Sequence, residues 1–228
     1  MFSRLKSVWA EQEFTRRIVE EFSSMLESSE EMLTYALKVI INKSKGKKSE
    51  KKIYIKDQKI NITEQEIRKR VLIHLSIQPQ SNIPACLALI SITKDAERLG
   101  DYIKNIFELN TMIRDRDGGD KLFRTLFEDI GDEVLALLKT VKTAFNDSDS
   151  KLALEAANNG REISKRCENI IVELVDSDYS AAMTVTLTLG SRYFKRIALH
   201  LSNIASSIFI PLPEMDYIDG EIKDSHGE

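Results

Sequence analysis

Two stretches of this chain, 98 positions apart, carry the same unbroken apolar seam, and that seam restricts the fold more than any other feature. In the first, Ala85, Leu89, Ile92, Ala96, Leu99, Ile103 and Ile106 recur at alternating steps of four and three. The second repeats the steps with Met183, Leu187, Gly190, Phe194, Ile197, Leu201 and Ile204. Such spacing lines one face of an α-helix and demands a partner helix to cover it. Arg98 with Arg196, and Asn105 with Asn203, stay in register beside it. The chain therefore reads as a duplicated helical unit.

The rest of the sequence supplies the remaining helices. All four prolines fall in two gaps, Pro79 with Pro84 and Pro211 with Pro213, and the stretches between show helical periodicity. The expected helices run from about Leu5 to Ile41, Ile55 to Ser76, Asn82 to Arg114, Lys121 to Phe145, about residue 151 to Val175, and Ser180 to Ser207. Lys52–Lys56 alternates like a strand but has nothing to pair with, so it reads as a helix entry. Arg114–Asp120, charged and glycine-containing, is the joint between repeats. The fold class is all-α: two tandem antiparallel three-helix bundles related by a pseudo-twofold, each too thin to stand without its twin. Residues 1–117 form the first repeat, 118–210 the second, and 211–228 an acidic tail expected to fray.

Composition narrows the function. At 228 residues and 42% hydrophobic, the chain can bury a sizeable core. Its 33 basic and 36 acidic residues leave a net charge of -3, unlike the basic excess of nucleic-acid binders. Cys86 and Cys167 form no CxxC pair and suit reduced thiols rather than a zinc knuckle or a disulfide. Charge interrupts the N-terminus before a signal peptide can develop, and Ile83–Ile92 is too short to span a bilayer, so a cytoplasmic location is expected. Peripheral contact with a membrane transporter stays open.

The candidate chemistry lies beside the first seam. Glu97 and Asp101 are one helical turn apart, and Asp57, Asn61 and Glu64 follow steps of four and three on the preceding helix. Antiparallel packing of those helices would gather an oxygen-rich set suited to a hard cation. The plainer reading makes all five solvated surface groups. No Glu-x-x-His occurs in the chain, which counts against a ferritin-like di-iron oxidase. Glu128 with Asp132 reads as surface charge, and His74 and His200 as structural residues. Trp9 and Phe14 read as packing. Lys43–Lys52 reads as a solvated loop, with anionic lipid or a partner's acidic face as its alternative contact.

These residues also carry a resemblance. Glu97-Arg-Leu-Gly-Asp101, followed by Asn105-Ile106 and Glu108, resembles the E/DxxxD signature of the PhoU family, regulators of bacterial and archaeal phosphate uptake. Asp57-Gln-Lys-Ile-Asn61 with Glu64–Arg70 is similar to that family's second helix, and Ser206–Pro211 with Asp216-Tyr217 to the endings of some members. The resemblance implies two three-helix bundles, a metal ion (iron clusters in some members, otherwise another divalent or trivalent cation) held by ExxxD carboxylates, and signalling without catalysis. It implies a phosphate transporter or phosphate sensor kinase as partner. A homodimer is compatible with either.

The second repeat departs from the family pattern. Lys195 and Leu199 stand where Glu97 and Asp101 stand in the first, Ala198 replaces the usual glycine, and Gly160–Ser164 corresponds to Asp57–Asn61. A charged ammonium has no lone pair to give, and leucine has none at all. Ligands are therefore expected only in the first repeat. The leading expectation is a cytosolic, non-enzymatic regulator of phosphate uptake and signalling. The alternative is a metal-storage or carboxylate-bridged redox bundle, and a purely structural scaffold is the third.

Overall fold

A computed structural model describes residues 13–42, 47–78, 83–113 and 120–210. The described residues contain no strand and form six helices. Helix α1 spans Glu13–Asn42, α2 Lys47–Ile77 and α3 Ile83–Glu108, with a 3-10 turn, Leu109–Thr111, behind it. Helix α4 comprises α-helical Asp120–Arg124, a π segment Thr125–Ile130 and α-helical Gly131–Asp147. Helix α5 spans Ser150–Val175 and α6 Ala181–Ser206.

Local chemistry explains the boundaries. Pro84 sits in the first turn of α3, where a missing N–H costs nothing. Helix α4 ends on Ser148, whose φ of 55° is the left-handed cap conformation. One residue later the Asp149 carboxylate caps α5, accepting from the backbone N–H of Lys151 and of Leu152 at 3.0 Å each. Ser180 caps α6 by accepting from the Met183 N–H at 3.3 Å.

Each repeat closes on itself: α1, α2 and α3 touch pairwise, as do α4, α5 and α6. The repeats meet through like helices, α3 on α6 and α1 on α4. Both α3 and α6 bury all seven of their seam positions. Asp95 of α3 meets His200 of α6, while Tyr102 meets Tyr193, so the helices run antiparallel. Residue 95 corresponds to 193 and residue 102 to 200, so these two contacts exchange under a twofold. Tyr102 and His200, themselves equivalent, stack with ring centroids 5.7 Å apart beside the axis. Phe22 against Phe145, at 4.6 Å, anchors α1 on α4. The helices α2 and α5 remain on the outside.

Several expected boundaries move. Helix α2 starts at Lys47 rather than Ile55, so Lys47–Lys52, expected as loop, and the strand-like Lys52–Lys56 are helical; Ile53 is buried there and anchors the turn. Helix α3 stops at Glu108, six residues before Arg114, and tightens into the 3-10 turn. The π segment was not expected. It buries Leu126, Phe127 and Ile130 together before Gly131, over which Leu37 of α1 packs. The start at Leu5, Trp9, the Phe14 side chain and the tail 211–228 lie outside the described residues.

The outer helices approach their partners differently. A Cβ on Gly160 of α5 would lie 2.3 Å from Ser202 Oγ and 2.7 Å from the Ala198 carbonyl oxygen of α6. In the first repeat a Cβ on Gly100 of α3 would meet only the tip of Ile60, at 3.1 Å, and Asp57 Oδ1, at 3.6 Å. Ser202 Oγ also donates to the Ala157 carbonyl at 2.8 Å, tying α6 to α5. Gly160→Ala should therefore destabilise the protein by about 1–3 kcal/mol, the usual penalty of overpacking. Gly100→Ala should cost less than about 1 kcal/mol, because Ile60 can yield and alanine favours the helix. Urea unfolding of both variants checks the order.

Candidate metal centre

The five residues singled out by sequence lie on the facing sides of α2 and α3. Asp57 and Glu64 are buried and Asn61 is half-buried on α2. From α3, the side chains of Glu97 and Asp101 keep 13% and 29% of their exposure. The solvated-surface reading therefore fails for Asp57 and Glu64.

The acids meet in two levels, each bridged by a lysine of α3. At one level Lys104 Nζ donates to Asp57 Oδ2 at 2.8 Å and to Asp101 Oδ1 at 3.1 Å. At the other, Lys94 Nζ lies 2.8 Å from Glu97 Oε2 and 3.8 Å from Glu64 Oε1, with an Arg68 guanidinium nitrogen 3.0 Å from the same Glu64 oxygen. Arg98 spans the levels, with Nε 3.7 Å from Glu97 and an amino nitrogen 3.4 Å from Asp101. Burial works against the charge on Lys104. Hydrogen bonds to Asp57 and Asp101, and their negative charge, outweigh it and hold the ammonium above the ordinary lysine range.

The acids are paired in charge, but their hydrogen bonding is incomplete. Asp57 Oδ1, Asn61 Oδ1, Glu64 Oε1 and Glu97 Oε2 are buried without a hydrogen bond. Lys94 and Arg68 do approach the Glu97 and Glu64 oxygens, but at angles that make these contacts charge pairs only. Four of the five expected donors thus carry a buried oxygen whose hydrogen-bonding capacity is unused, an arrangement that costs stability. Their hard oxygens suit a hard cation. In the lysine-bridged arrangement, no group of three or more His, Cys, Asp and Glu side chains among the described residues is drawn together closely enough to hold one. A metal would have to take the place of the ammonium groups.

The equivalent face of the second repeat has another chemistry. Lys195 pairs with Glu168, Leu199 is half-buried, and Gly160 occupies the place of Asp57. Phe194 and Leu201 are fully buried, so they form no exposed patch with Leu199. Glu128 is half-buried and Asp132 exposed. Burial pushes the Cys167 thiol up to about 12 and also raises Cys86, so both are poor nucleophiles at neutral pH.

Two arrangements were not read from the sequence. The first is the lysine bridging, although Lys94 and Lys104 each stand three residues from an acid, Glu97 and Asp101, and that spacing is a pairing signal. The second is the pairing of His200 with Asp95. His200 Nδ1 lies 2.7 Å from Asp95 Oδ1, which also accepts from the Asn203 amide at 3.4 Å. Both residues flank the seams on the side where the repeats face one another, which only the duplication could have indicated.

Comparison with known proteins agrees with the duplicated helical fold. The PhoU domain matches residues 22–109 and again 127–208. A protein of Caulobacter vibrioides named phosphate-specific transport system accessory protein PhoU homolog is 25% identical over 162 residues, covering 68% of this chain and 70% of its own length. An uncharacterized protein of Methanocaldococcus jannaschii is 30% identical over 145 residues, or 59% of this chain and 49% of that protein. The crystal structure of PhoU from Pseudomonas aeruginosa superposes with a TM-score of 0.76 at 18% identity, over 86% of this chain and 95% of that one. The structure from Streptococcus pneumoniae gives 0.73 at 18% identity, over 85% and 92%.

Lys104→Met should destabilise the protein by about 1–3 kcal/mol, because it leaves Asp57 buried without its donor. The raised lysine pKa fixes the sign with pH. Its contribution is complete below the unfolded lysine value, about 10.4, and fades as pH climbs through the higher folded value. The gap between wild type and variant in thermal melts should accordingly narrow above about pH 10.5 and stay constant between pH 7 and 9.

Proposed function

The chain belongs to the PhoU family, and from that premise we propose that it is a non-catalytic cytosolic regulator of phosphate uptake and phosphate-dependent signalling. It acts by binding a phosphate transporter or a phosphate sensor kinase. The twofold repeat of the PhoU domain supports this most strongly. The transport-system name of the Caulobacter relative gives the direction. Among the described residues no helix is long and apolar enough to cross a membrane, which suits a protein that meets such partners from one side.

The same reading gives the acidic site of the first repeat a role. Asp57, Asn61, Glu64, Glu97 and Asp101 would hold a hard cation, iron or another divalent or trivalent ion, whose positive charge would replace that of Lys94 and Lys104. The buried oxygens without hydrogen bonds support this use. When bound, the ion supplies charge neutralisation and cross-links α2 to α3. The chain's own residues position the oxygens and carry the competing ammonium groups, so occupancy is coupled to the packing of α2.

Two experiments test the proposal. Deleting the gene should raise phosphate uptake, and the output of a phosphate-responsive reporter, in phosphate-replete cells; unchanged uptake and reporter output would oppose the regulatory role. Elemental analysis of protein purified without chelators should find metal in the wild type and at least about tenfold less in Glu97→Gln/Asp101→Asn, since losing even an outer-shell partner weakens a metal site about 10- to 100-fold. Equal metal content in both proteins would remove the assignment to these residues.

A further inference from the structure

Helix α2 has a second apolar side, turned away from the core. Ile55, Ile62 and Ile73 are 63%, 53% and 48% exposed, and steps of seven and eleven residues stack them along one line after two and three full turns. That line lies opposite Ile53, Ile60, Ile67 and Val71, which face the core. It runs for roughly 27 Å along the outermost helix of the first repeat. Exposed Lys51, Lys59 and Lys69 lie beside it, against one exposed acid, Glu66, among the side chains of α2 that are described.

The duplication supplies an internal control. In the register that aligns Asp57 with Gly160, Ile55, Ile62 and Ile73 correspond to Asn158, Lys165 and Asp176 of the second repeat. Lys59 corresponds to Glu162. The twin positions on and just beyond α5 are thus polar or charged, with exposed Val172 at the place of Lys69, while α2 carries an isoleucine line among lysines. The core does not account for the isoleucines, since all three are exposed on the side away from it.

We propose that the outer face of α2 is a docking surface for an anionic lipid bilayer, on which the helix lies parallel to the membrane plane. Charge complementarity identifies the occupant. Isolated isoleucines at the crest can enter the headgroup boundary while lysines around them reach lipid phosphates, the arrangement of an interfacial amphipathic helix. A partner helix would need a continuous seam at steps of three and four. Here the intervening positions are Gln58, Lys59, Gln65, Glu66 and Lys69, which break it. This proposal stands independently of the phosphate reading and of any bound metal.

Flotation of the full chain with vesicles tests it. At low salt the wild type should float with vesicles of phosphatidylcholine containing 30 mol% phosphatidylglycerol at least about tenfold more than with phosphatidylcholine alone, as several lysines near an anionic surface imply. Ile62→Asn/Ile73→Asn should reduce flotation about tenfold or more, and Lys59→Glu/Lys69→Glu similarly. Circular dichroism and melting should match the wild type for both, because the side chains are exposed. Lys165→Glu, on the twin face of α5, should leave flotation unchanged. Wild type that floats with neither vesicle, or isoleucine variants that float as well as wild type, would overturn the proposal. Binding of an acidic helical peptide that needs the same isoleucines, without flotation, would assign the face to a protein partner and overturn it too.

Discussion

The antiparallel packing of α3 on α6 is the contact from which the other arrangements follow. The contact is made by residues that flank the two seams, Asp95 on His200 and Tyr102 on Tyr193. The buried seam positions turn inward, Gly190 and Phe194 packing on Leu126 and Phe127 of α4, and full burial of one Leu, Ile or Phe stabilises by about 1.5–3 kcal/mol. The buried residues of both units join in one continuous core, so the duplicated units stay together. The packing also leaves α2 and α5 on the outside, each held mainly by its own repeat. Only at those two positions could the copies diverge without disturbing the centre.

They diverged in opposite directions. In the second repeat Gly160, Ala198 and Ser202 let the backbones of α5 and α6 close up, and a serine-to-carbonyl hydrogen bond fastens them. The first repeat places Asp57 and Lys104 at the positions of Gly160 and Ser202, so a charged, partly desolvated layer separates α2 from α3. Such a layer is a poor source of stability, since desolvation offsets most of the attraction between its charges. Its oxygens without hydrogen bonds make it poorer still. The first repeat therefore gives up packing in return for a layer whose charge balance can be altered.

The sequence made the fold legible because the seams are long and strictly periodic, and their register at 98 positions exposed the pseudo-twofold directly. Boundaries were less legible where charge hid a helix. Lys47–Lys52 is polar enough to resemble a loop, yet Ile53 draws it into α2. The π segment had no local signal, because the close approach of Leu37 to Gly131 belongs to a distant helix. At the candidate site, spacing placed the five residues on the facing sides of α2 and α3. It did not show that lysines stand between them, because side-chain reach across helices depends on a packing distance that one sequence does not encode. The Asp95–His200 pair was hidden for the same reason, its members being 105 residues apart.

Hydrogen exchange of the native protein, with and without added ferric, manganese or zinc ions, tests most directly whether the acidic layer of the first repeat alone accepts a cation. A bound ion stabilises the state that holds it and slows local opening there. The account predicts slower amide exchange in α2 and α3 with at least one of these ions, and unchanged exchange in α5 and α6. Equal slowing in both repeats, or none in either, would contradict it.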